Sequence, residues 1–221
     1  MRWNWFRKKY NDNHPDFWKV YVDGFDKKIK KPIQETRFVA FDTETTGFDK
    51  KEDRILSLGA VEIINKTIKA NNTFEIYIKQ AVFKPETVKI HGILKDGDLD
   101  KVSEMEAIQS FLGYIKNDVL IAHHAGFDYG MVNEMLSRHG LGKLKNDFID
   151  TGVLFSKSKH IIYHENLKKH YSLDDLCKEL NVSMADRHTS IGDAFITALV
   201  FLKTITRLDK RNVLKWDYLL K

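Results

Sequence analysis

The sequence has a single cysteine, Cys177, and no apolar stretch long enough to cross a lipid bilayer. One cysteine excludes an internal disulfide, which suits a reducing compartment. A transmembrane helix needs about 20 consecutive apolar residues, and the N-terminus also lacks the apolar core of about 7–15 residues that a signal peptide contains. We therefore expect a cytoplasmic protein with no membrane partner.

The formal net charge of +5 is concentrated at one end of the chain. Residues 1–37 hold ten Lys and Arg residues against five Asp and Glu residues, whereas the rest of the chain balances 26 basic against 26 acidic residues. The basic stretch at residues 27–31 could attract a phosphate backbone. The alternative is a solvated linker.

The first 35 residues have the pattern of two short helices. Aromatic residues recur at helical spacing, first from Trp3 to Tyr10 and then from Trp18 to Phe25. We expect these aromatic faces to pack against the rest of the protein, and the alternative is that they bind a polymerase or repair partner. Residues 1–35 are thus predicted to be a basic, aromatic-rich helical appendage, and residues 36–221 the main domain.

From Arg37 onward the pattern changes to strands that later alternate with helices. Strands are predicted at residues 37–42, 55–64, 68–78, 119–122 and 148–149, and helices at 85–91, 103–115, 127–140, 151–155, 172–180 and 190–206. Three leading strands followed by this alternation predict the α/β class, a mixed sheet flanked by helices.

The last predicted helix has an apolar stripe that is formed by Ile191, Ala194, Phe195, Ala198, Leu199, Leu202 and Ile205. At about 100° per residue, Asp193 is expected to point roughly opposite to this stripe and towards the end of the first strand.

Four acids and one histidine stand in three short motifs, and in each motif an acid occupies a position that folding would normally give to an apolar residue. Asp42 and Glu44 follow an apolar strand, Asp128 follows another, and His188 and Asp193 lead into the last helix. On a strand, residues i and i+2 face the same side, so the first two acids face one cleft. A buried lone carboxylate costs several kcal/mol unless a cation compensates it. Several such acids together therefore indicate divalent metal ions.

These motifs resemble those of the DEDD exonucleases, in the histidine subgroup that includes the epsilon-like proofreading exonucleases of bacterial DNA polymerase III. The matching positions are Asp42-x-Glu44, then Asp128, then His188-x4-Asp193. The tyrosine subgroup would have a tyrosine at the position of Thr189. The resemblance covers about residues 37–206, and it implies a ribonuclease H-like fold and an exonuclease domain at residues 36–221.

The resemblance also implies a two-metal mechanism with Mg²⁺ or Mn²⁺, in which phosphodiester hydrolysis from the 3′ end releases nucleoside 5′-monophosphates. Asp42 would bridge both ions, Glu44 and Asp193 would hold the ion on the side of the nucleophile, and Asp128 would support the other through water. His188 would be the general base, since an imidazole can take a proton near neutral pH.

Two further segments are candidates for substrate binding. Thr45, Thr46 and Gly47 follow the first acids in a tight turn, whose backbone N–H groups could contact the terminal nucleotide. His91 matches a family position near the 3′ end of the bound strand. The alternative for His91 is a histidine at a helix C-terminus, favoured by the helix dipole.

The expected substrate is nucleic acid with a single-stranded or frayed 3′ end, in repair, proofreading or processing. DNA is favoured because the segment Asp-Thr-Glu-Thr-Thr-Gly at residues 42–47 resembles the DNA-directed members. Oligoribonucleases and ribonuclease T typically replace one or both of the paired threonines, and an exoribonuclease is the alternative. A non-catalytic nucleic-acid-binding module is a further alternative, which the presence of all five motif residues disfavours.

Overall fold

The structure is a computed structural model that describes residues 10–26, 31–163, 170–211 and 214–220. Most of the first predicted helix, with Trp3 and Phe6, lies outside the described residues, and so does most of the basic stretch at residues 27–31. Among the helices of the described ranges, none combines the length and the apolar character needed to span a membrane.

Six strands form one mixed sheet in the order β4-β3-β2-β1-β5-β6. The strands are β1 (Phe38–Thr45), β2 (Ile55–Ile64), β3 (Thr67–Ile78), β4 (Lys101–Val102), β5 (Val119–Ala122) and β6 (Phe148–Asp150). The hairpin of β2 and β3 turns at Asn65 and Lys66, both at positive φ, as the sequence predicts. The central strand β1 is antiparallel to β2 and parallel to β5.

Helices flank this sheet on both faces, and the predicted ribonuclease H-like α/β class is confirmed. They are α1 (Asp16–Asp23), α2 (Pro85–His91), α3 (Glu104–Ile115), α4 (Gly126–Arg138), α5 (Thr151–Tyr163), α6 (Leu173–Leu180), α7 (Ser190–Lys210) and α8 (Trp216–Leu219), with a 3₁₀ turn at Ile33–Glu35. Ser103 caps α3 through the predicted capping box with Glu106.

The alternation of side chains along β1 decides which helices lie beside the acids that the sequence predicts to be catalytic. Val39 and Phe41 pack into the core cluster that contains side chains of α1, α3 and α4. Phe38 and Ala40 pack on the opposite face, against side chains of α7. Because successive side chains alternate along a strand, Asp42 continues the face that α7 covers.

The aromatic face of α1 packs against the core, in agreement with the expectation from its spacing. Trp18, Tyr21 and Val22 are buried in the same cluster as side chains of α3 and α4. The Tyr21 hydroxyl donates to Asn146 Oδ1 at 2.6 Å and accepts from the Lys145 N–H at 2.8 Å. This helix is therefore anchored to the main body of the protein, and the division between residues 35 and 36 remains a prediction.

Several elements differ from the sequence-based expectation. The strand predicted to end at Asp42 continues to Thr45, because β2 keeps pairing with it through the pair of Glu44 and Ser57. The helix predicted to end at Phe155 runs to Tyr163. The two-residue strand β4 and the four-residue helix α8 are too short to leave a periodic pattern in the sequence.

The buried face of α7 also differs from the predicted stripe. Four of the predicted positions (Ile191, Phe195, Leu199 and Leu202) are only partly buried, whereas Asp193, Thr197 and Thr204 are buried. Asp193 thus lies on the buried side of the helix, whereas the prediction places it on the opposite side. The prediction differs because it assigns the buried face from apolar residues alone, while polar residues also lie on this face. Thr204, for example, donates its hydroxyl to the Val200 carbonyl at 2.8 Å.

Candidate active site

Three of the predicted acids converge at one place. Asp42, Glu44 and Asp193 each offer a carboxylate oxygen, and these oxygens all lie within 4.8 Å of one another. Asp42 and Glu44 come from the same face of β1, and Asp193 comes from the first turn of α7. Two elements that are distant in sequence therefore build one acidic cluster.

Gly59 permits the close approach of α7 to the sheet. It lies on β2 directly opposite Asp42, and a Cβ at this position would be 2.2 Å from Ile191 N and from the carbonyl carbon of Ser190. The hydroxyls of Ser57 and Ser190 are 2.9 Å apart and join the same two elements. A residue without a side chain is thus required where the first turn of α7 rests on β2.

Asp128 approaches β1 from the other face. Its Oδ1 accepts hydrogen bonds from the Thr43 N–H at 3.1 Å and from the Thr43 hydroxyl at 2.7 Å, and only 3% of the residue is exposed. Thr43 points to the α4 side of the sheet because its neighbours Asp42 and Glu44 point to the α7 side. Asp128 is not a member of the group of three, and its proposed support of a metal ion remains a prediction.

Burial and mutual repulsion shift the pKa values of these acids upward. Burial raises the pKa of Asp42 well above its usual value, and the charges of Asp128, Asp193 and Glu44 raise it further. Burial and the charges of Asp193 and Asp128 raise the pKa of Glu44 to about 7. The pKa of Asp128 is also raised to about 7, chiefly by burial. A site of this kind holds its full negative charge near neutral pH only when cations are close to it.

The donor set fits a divalent metal site. All the donors are hard carboxylate oxygens, which Mg²⁺ and Mn²⁺ prefer. Asp193 Oδ1 is buried and makes no hydrogen bond to any described residue. Its contact with Arg187 Nη1 at 2.5 Å is an ion pair without the alignment of a hydrogen bond. The acidic cluster can therefore hold divalent metal.

His188 lies on the exposed loop that enters α7. Its backbone has a left-handed φ of 65°, and its N–H donates to Asp193 Oδ2 at 3.2 Å. This bond ties the histidine backbone to one acid of the cluster, while the residue itself is exposed to solvent. Such an imidazole is free to approach a bound substrate or water molecule.

Arg187 stands directly before the histidine and is not among the site residues predicted from the sequence. Its guanidinium contacts Asp193 and also Asp174 Oδ1, the latter at 3.0 Å from Nε. Asp174 lies in the first turn of α6. The sequence carries no spacing signal for this contact, because it depends on how α6 and α7 pack.

A buried aspartate shapes the turn that follows β1. Asp53 is 1% exposed and accepts from the Thr46 hydroxyl at 2.8 Å, from Lys84 Nζ at 2.5 Å and from the Asp49 N–H at 3.0 Å. A Cβ on Gly47 would lie 2.4 Å from Asp53 Oδ2. Burial by itself would raise the pKa of Asp53, but these hydrogen bonds outweigh burial and lower it.

The three predicted substrate-binding residues of this turn have different partners. Thr45 donates its hydroxyl to the Gly47 carbonyl at 2.7 Å. Thr46 is fully buried, and its N–H donates to the Arg54 carbonyl at 2.9 Å. Since its hydroxyl donates to Asp53, Thr46 has no free donor to offer a substrate. Among these three residues, only Thr45 or Gly47 can therefore donate a hydrogen bond to a nucleotide.

His91, the last residue of α2, is buried, and one of its ring nitrogens has no hydrogen-bond partner among the described residues. Its Nδ1 accepts from the Ile93 N–H at 3.0 Å, and no described residue bonds its buried Nε2. Burial lowers the pKa of His91, so the ring is neutral and Nε2 carries the hydrogen. A neutral imidazole gains little from the helix dipole, and the unpaired donor favours the substrate-binding alternative.

Phe48 is a second residue of this region that is not among the site residues predicted from the sequence. It directly follows the turn and is 85% exposed, although its ring centroid is 5.9 Å from that of Phe127. Lys50 lies nearby, with Nζ donating to the Gly126 carbonyl at 2.8 Å. An exposed aromatic ring beside a lysine is a surface on which a nucleic acid base can stack.

The family match decides what kind of protein carries this site. The exonuclease family (RNase_T) matches residues 39–201, which is most of the chain and includes every motif acid. The chain belongs to the exonuclease family. Its predicted membership of the DEDD exonucleases is thereby confirmed, and this membership supports the predicted 3′→5′ exonuclease function.

Curated relatives of this exonuclease-family chain include two DNA polymerase III proteins. DNA polymerase III PolC-type of Caldanaerobacter subterraneus is 34% identical over 180 residues, which are 81% of this chain and 12% of that protein. DNA polymerase III subunit epsilon of Salmonella typhimurium is 32% identical over 177 residues, which are 76% of this chain and 70% of the subunit. The chain thus spans a small part of the first relative and most of the second.

Among solved structures, E. coli exonuclease I in complex with a dA16 oligonucleotide has the same fold. It superposes with a TM-score of 0.67 at 16% sequence identity, covering 80% of this chain and 42% of exonuclease I.

Proposed function

We propose that this chain is a metal-dependent 3′→5′ exonuclease that removes nucleoside 5′-monophosphates from the 3′ end of DNA. The observation that carries the proposal is the cluster of Asp42, Glu44 and Asp193, whose oxygens lie within 4.8 Å of one another in a chain of the exonuclease family. The proposed cofactors are two divalent ions, Mg²⁺ or Mn²⁺. When bound, they would activate water and stabilise charge on the attacking and leaving oxygens.

The residues of the chain have distinct roles in this proposal. Asp42, Glu44 and Asp193 hold the metal, and Asp128 supports it from the other face of β1. His188 takes the proton of the attacking water, because its ring is exposed and its backbone is tied to Asp193. His91 donates from Nε2 to the terminal nucleotide, which would satisfy an otherwise unpaired buried donor.

A single-stranded 3′ end is the proposed substrate. Phe48 offers an exposed ring for stacking, which is how proteins hold unpaired bases without reading their sequence. Exonuclease I, which shares the fold, binds a dA16 oligonucleotide, and the two curated relatives are named as a PolC-type DNA polymerase III and as the epsilon subunit of DNA polymerase III. Both comparisons favour DNA over RNA as the substrate, with repair, proofreading or processing as the setting.

A polymerase or repair partner is a further proposal. The apolar face of α1 packs on the core, so a partner would contact its other side, where Val20 is 72% exposed, or the basic stretch at residues 27–31.

The deciding experiment digests matched single strands of DNA and RNA, each labelled at one end, in Mg²⁺. The proposal predicts that a 5′-labelled DNA strand shortens one nucleotide at a time and that a 3′-labelled strand releases its label in the first step. Faster digestion of RNA than of DNA would favour the exoribonuclease alternative. Binding of both strands without cleavage in Mg²⁺ or Mn²⁺ would favour the non-catalytic module.

A further inference from the structure

Arg187 is the one cation that the structure places on a predicted metal-binding acid, as far as the described residues go. Its Nη1 lies 2.5 Å from Asp193 Oδ1, and the side chain of Asp193 is only 8% exposed. The other oxygen, Oδ2, accepts the His188 N–H at 3.2 Å. Both oxygens of this carboxylate are therefore in contact with groups of the same loop.

The guanidinium has a second acidic partner that is not in the acidic cluster. Arg187 Nε lies 3.0 Å from Asp174 Oδ1, and the side chain of Asp174 is 51% exposed. The backbone on either side of Arg187 takes left-handed φ values, 63° at Asp186 and 65° at His188. These turns bring Arg187 back over the first turn of α7, between the two acids.

We propose that Arg187 is a cationic placeholder, which pairs with Asp193 in the metal-free protein and competes with the divalent ion for that carboxylate. Asp174 is the partner that retains the guanidinium when the ion binds. This inference rests on the proposed function, because it assumes that Asp193 is a metal ligand.

Electrostatics determine whether the loss of Arg187 strengthens or weakens the binding of a divalent ion. A positive charge a few ångströms from a divalent cation opposes its binding whatever the local permittivity. Even with the permittivity of water, a unit charge about 5 Å from a divalent ion changes the binding constant about tenfold. If Arg187 only oriented Asp193 for the metal, its loss would instead weaken binding. The two roles thus predict opposite changes.

The test measures the binding of Mn²⁺ to the full chain by calorimetry, without nucleic acid. Arg187→Gln should bind Mn²⁺ about tenfold more tightly than the wild type, whereas Arg187→Lys, which keeps the charge, should stay within about threefold of it. Asp174→Asn should bind Mn²⁺ more weakly, because metal binding would then leave the guanidinium without its second partner. Arg138→Gln is the matched control. It breaks an ion pair with Glu104 that joins α4 to α3, and it should leave Mn²⁺ binding unchanged.

The inference would be overturned if Arg187→Gln bound Mn²⁺ as tightly as the wild type or more weakly. It would also be overturned if Asp174→Asn bound Mn²⁺ as tightly as the wild type or more tightly. If Arg187→Gln does not fold, Asp174→Asn still tests the inference, because it should weaken Mn²⁺ binding whereas the control Arg138→Gln should leave it unchanged. Wild-type protein that binds no Mn²⁺ would overturn the proposed function itself, and this result is distinct from normal wild-type binding with no effect of the variants.

Discussion

Gly59→Ala should separate the two halves of the acidic cluster. The added Cβ would lie 2.2 Å from backbone atoms of Ser190 and Ile191, and ordinary contacts with a Cβ begin at 3.4 Å. The first turn of α7 must therefore move away from β2 by about 1 Å, since neither backbone atom can rotate aside. Overpacking of this kind costs about 1–3 kcal/mol of stability.

The same displacement moves Asp193 relative to Asp42 and Glu44. A misplacement of about 1 Å at a catalytic group can cost about 10²-fold in rate. We expect Gly59→Ala to lower both the melting temperature and the rate of strand shortening, and to weaken Mn²⁺ binding. Thermal unfolding followed by circular dichroism, calorimetry with Mn²⁺, and a labelled-strand assay measure the three effects.

Gly113→Ala provides the matched control. Gly113 lies in α3, and a Cβ there would meet no atom within 4 Å. Because alanine is the better helix former, this variant should gain about 0.5–1 kcal/mol of stability and keep its activity. If Gly59→Ala kept the wild-type melting temperature, Mn²⁺ affinity and rate, the account of how α7 is placed on the sheet would be wrong.

Three further predictions concern the acids, the base and the turn. Asp42→Asn should abolish hydrolysis, and a variant that keeps a tenth of the wild-type rate would refute the assignment of Asp42 as a metal ligand. The metal-free variant should melt at the same or a higher temperature than the wild type, because the change relieves repulsion among buried acids. His188→Ala should lower kcat by about 10²–10⁴-fold and leave Mn²⁺ affinity within a few fold, as calorimetry on the folded variant would show. Asp53→Asn should weaken the binding of a 3′ end, because Asp53 fixes the turn after β1 through Thr46 and Lys84. The expected result is a higher KM with little change in kcat, and a loss confined to kcat would contradict this role.

The pH dependence of stability follows from the raised carboxyl pKa values. The pKa of Glu44 rises from 4.5 to about 7 on folding, and that of Asp128 from 3.8 to about 7. A carboxyl group with a raised pKa in the folded state favours folding at low pH, and this contribution is lost as the pH rises through about 7. The metal-free protein should therefore melt at a lower temperature at pH 8 than at pH 6. Mg²⁺ should stabilise it more at pH 8, and an identical melting temperature at both pH values without metal would contradict the repulsion in the site.

The sequence predicts well those features that depend on local patterns. The hairpin turn at Asn65, the capping box at Ser103 and the spacing of Asp42 and Glu44 all follow from periodicity or from the chemistry of single residues. The short strand β4 does not, because two residues carry no period.

The residues of the site that are not predicted from the sequence act through contacts between distant segments. Gly59 matters because α7 rests on it, and Arg187 matters because α6 and α7 place two acids beside it. Asp53 acts by joining the turn after β1 to the start of α2. The spacing of residues along the sequence does not predict such contacts. The burial of Asp193 and Thr197 on α7 is missed for a related reason, since periodicity treats polar side chains as solvent-facing.

The most direct test of the proposed function is the identity of the product released from a 5′-labelled DNA strand, measured by gel and mass spectrometry with and without Mg²⁺. We predict that the wild type in Mg²⁺ releases nucleoside 5′-monophosphates stepwise from the 3′ end, and that this product is absent both in chelator and with Asp42→Asn. Release of nucleoside 3′-monophosphates, shortening from the 5′ end, or equal cleavage in chelator would contradict it.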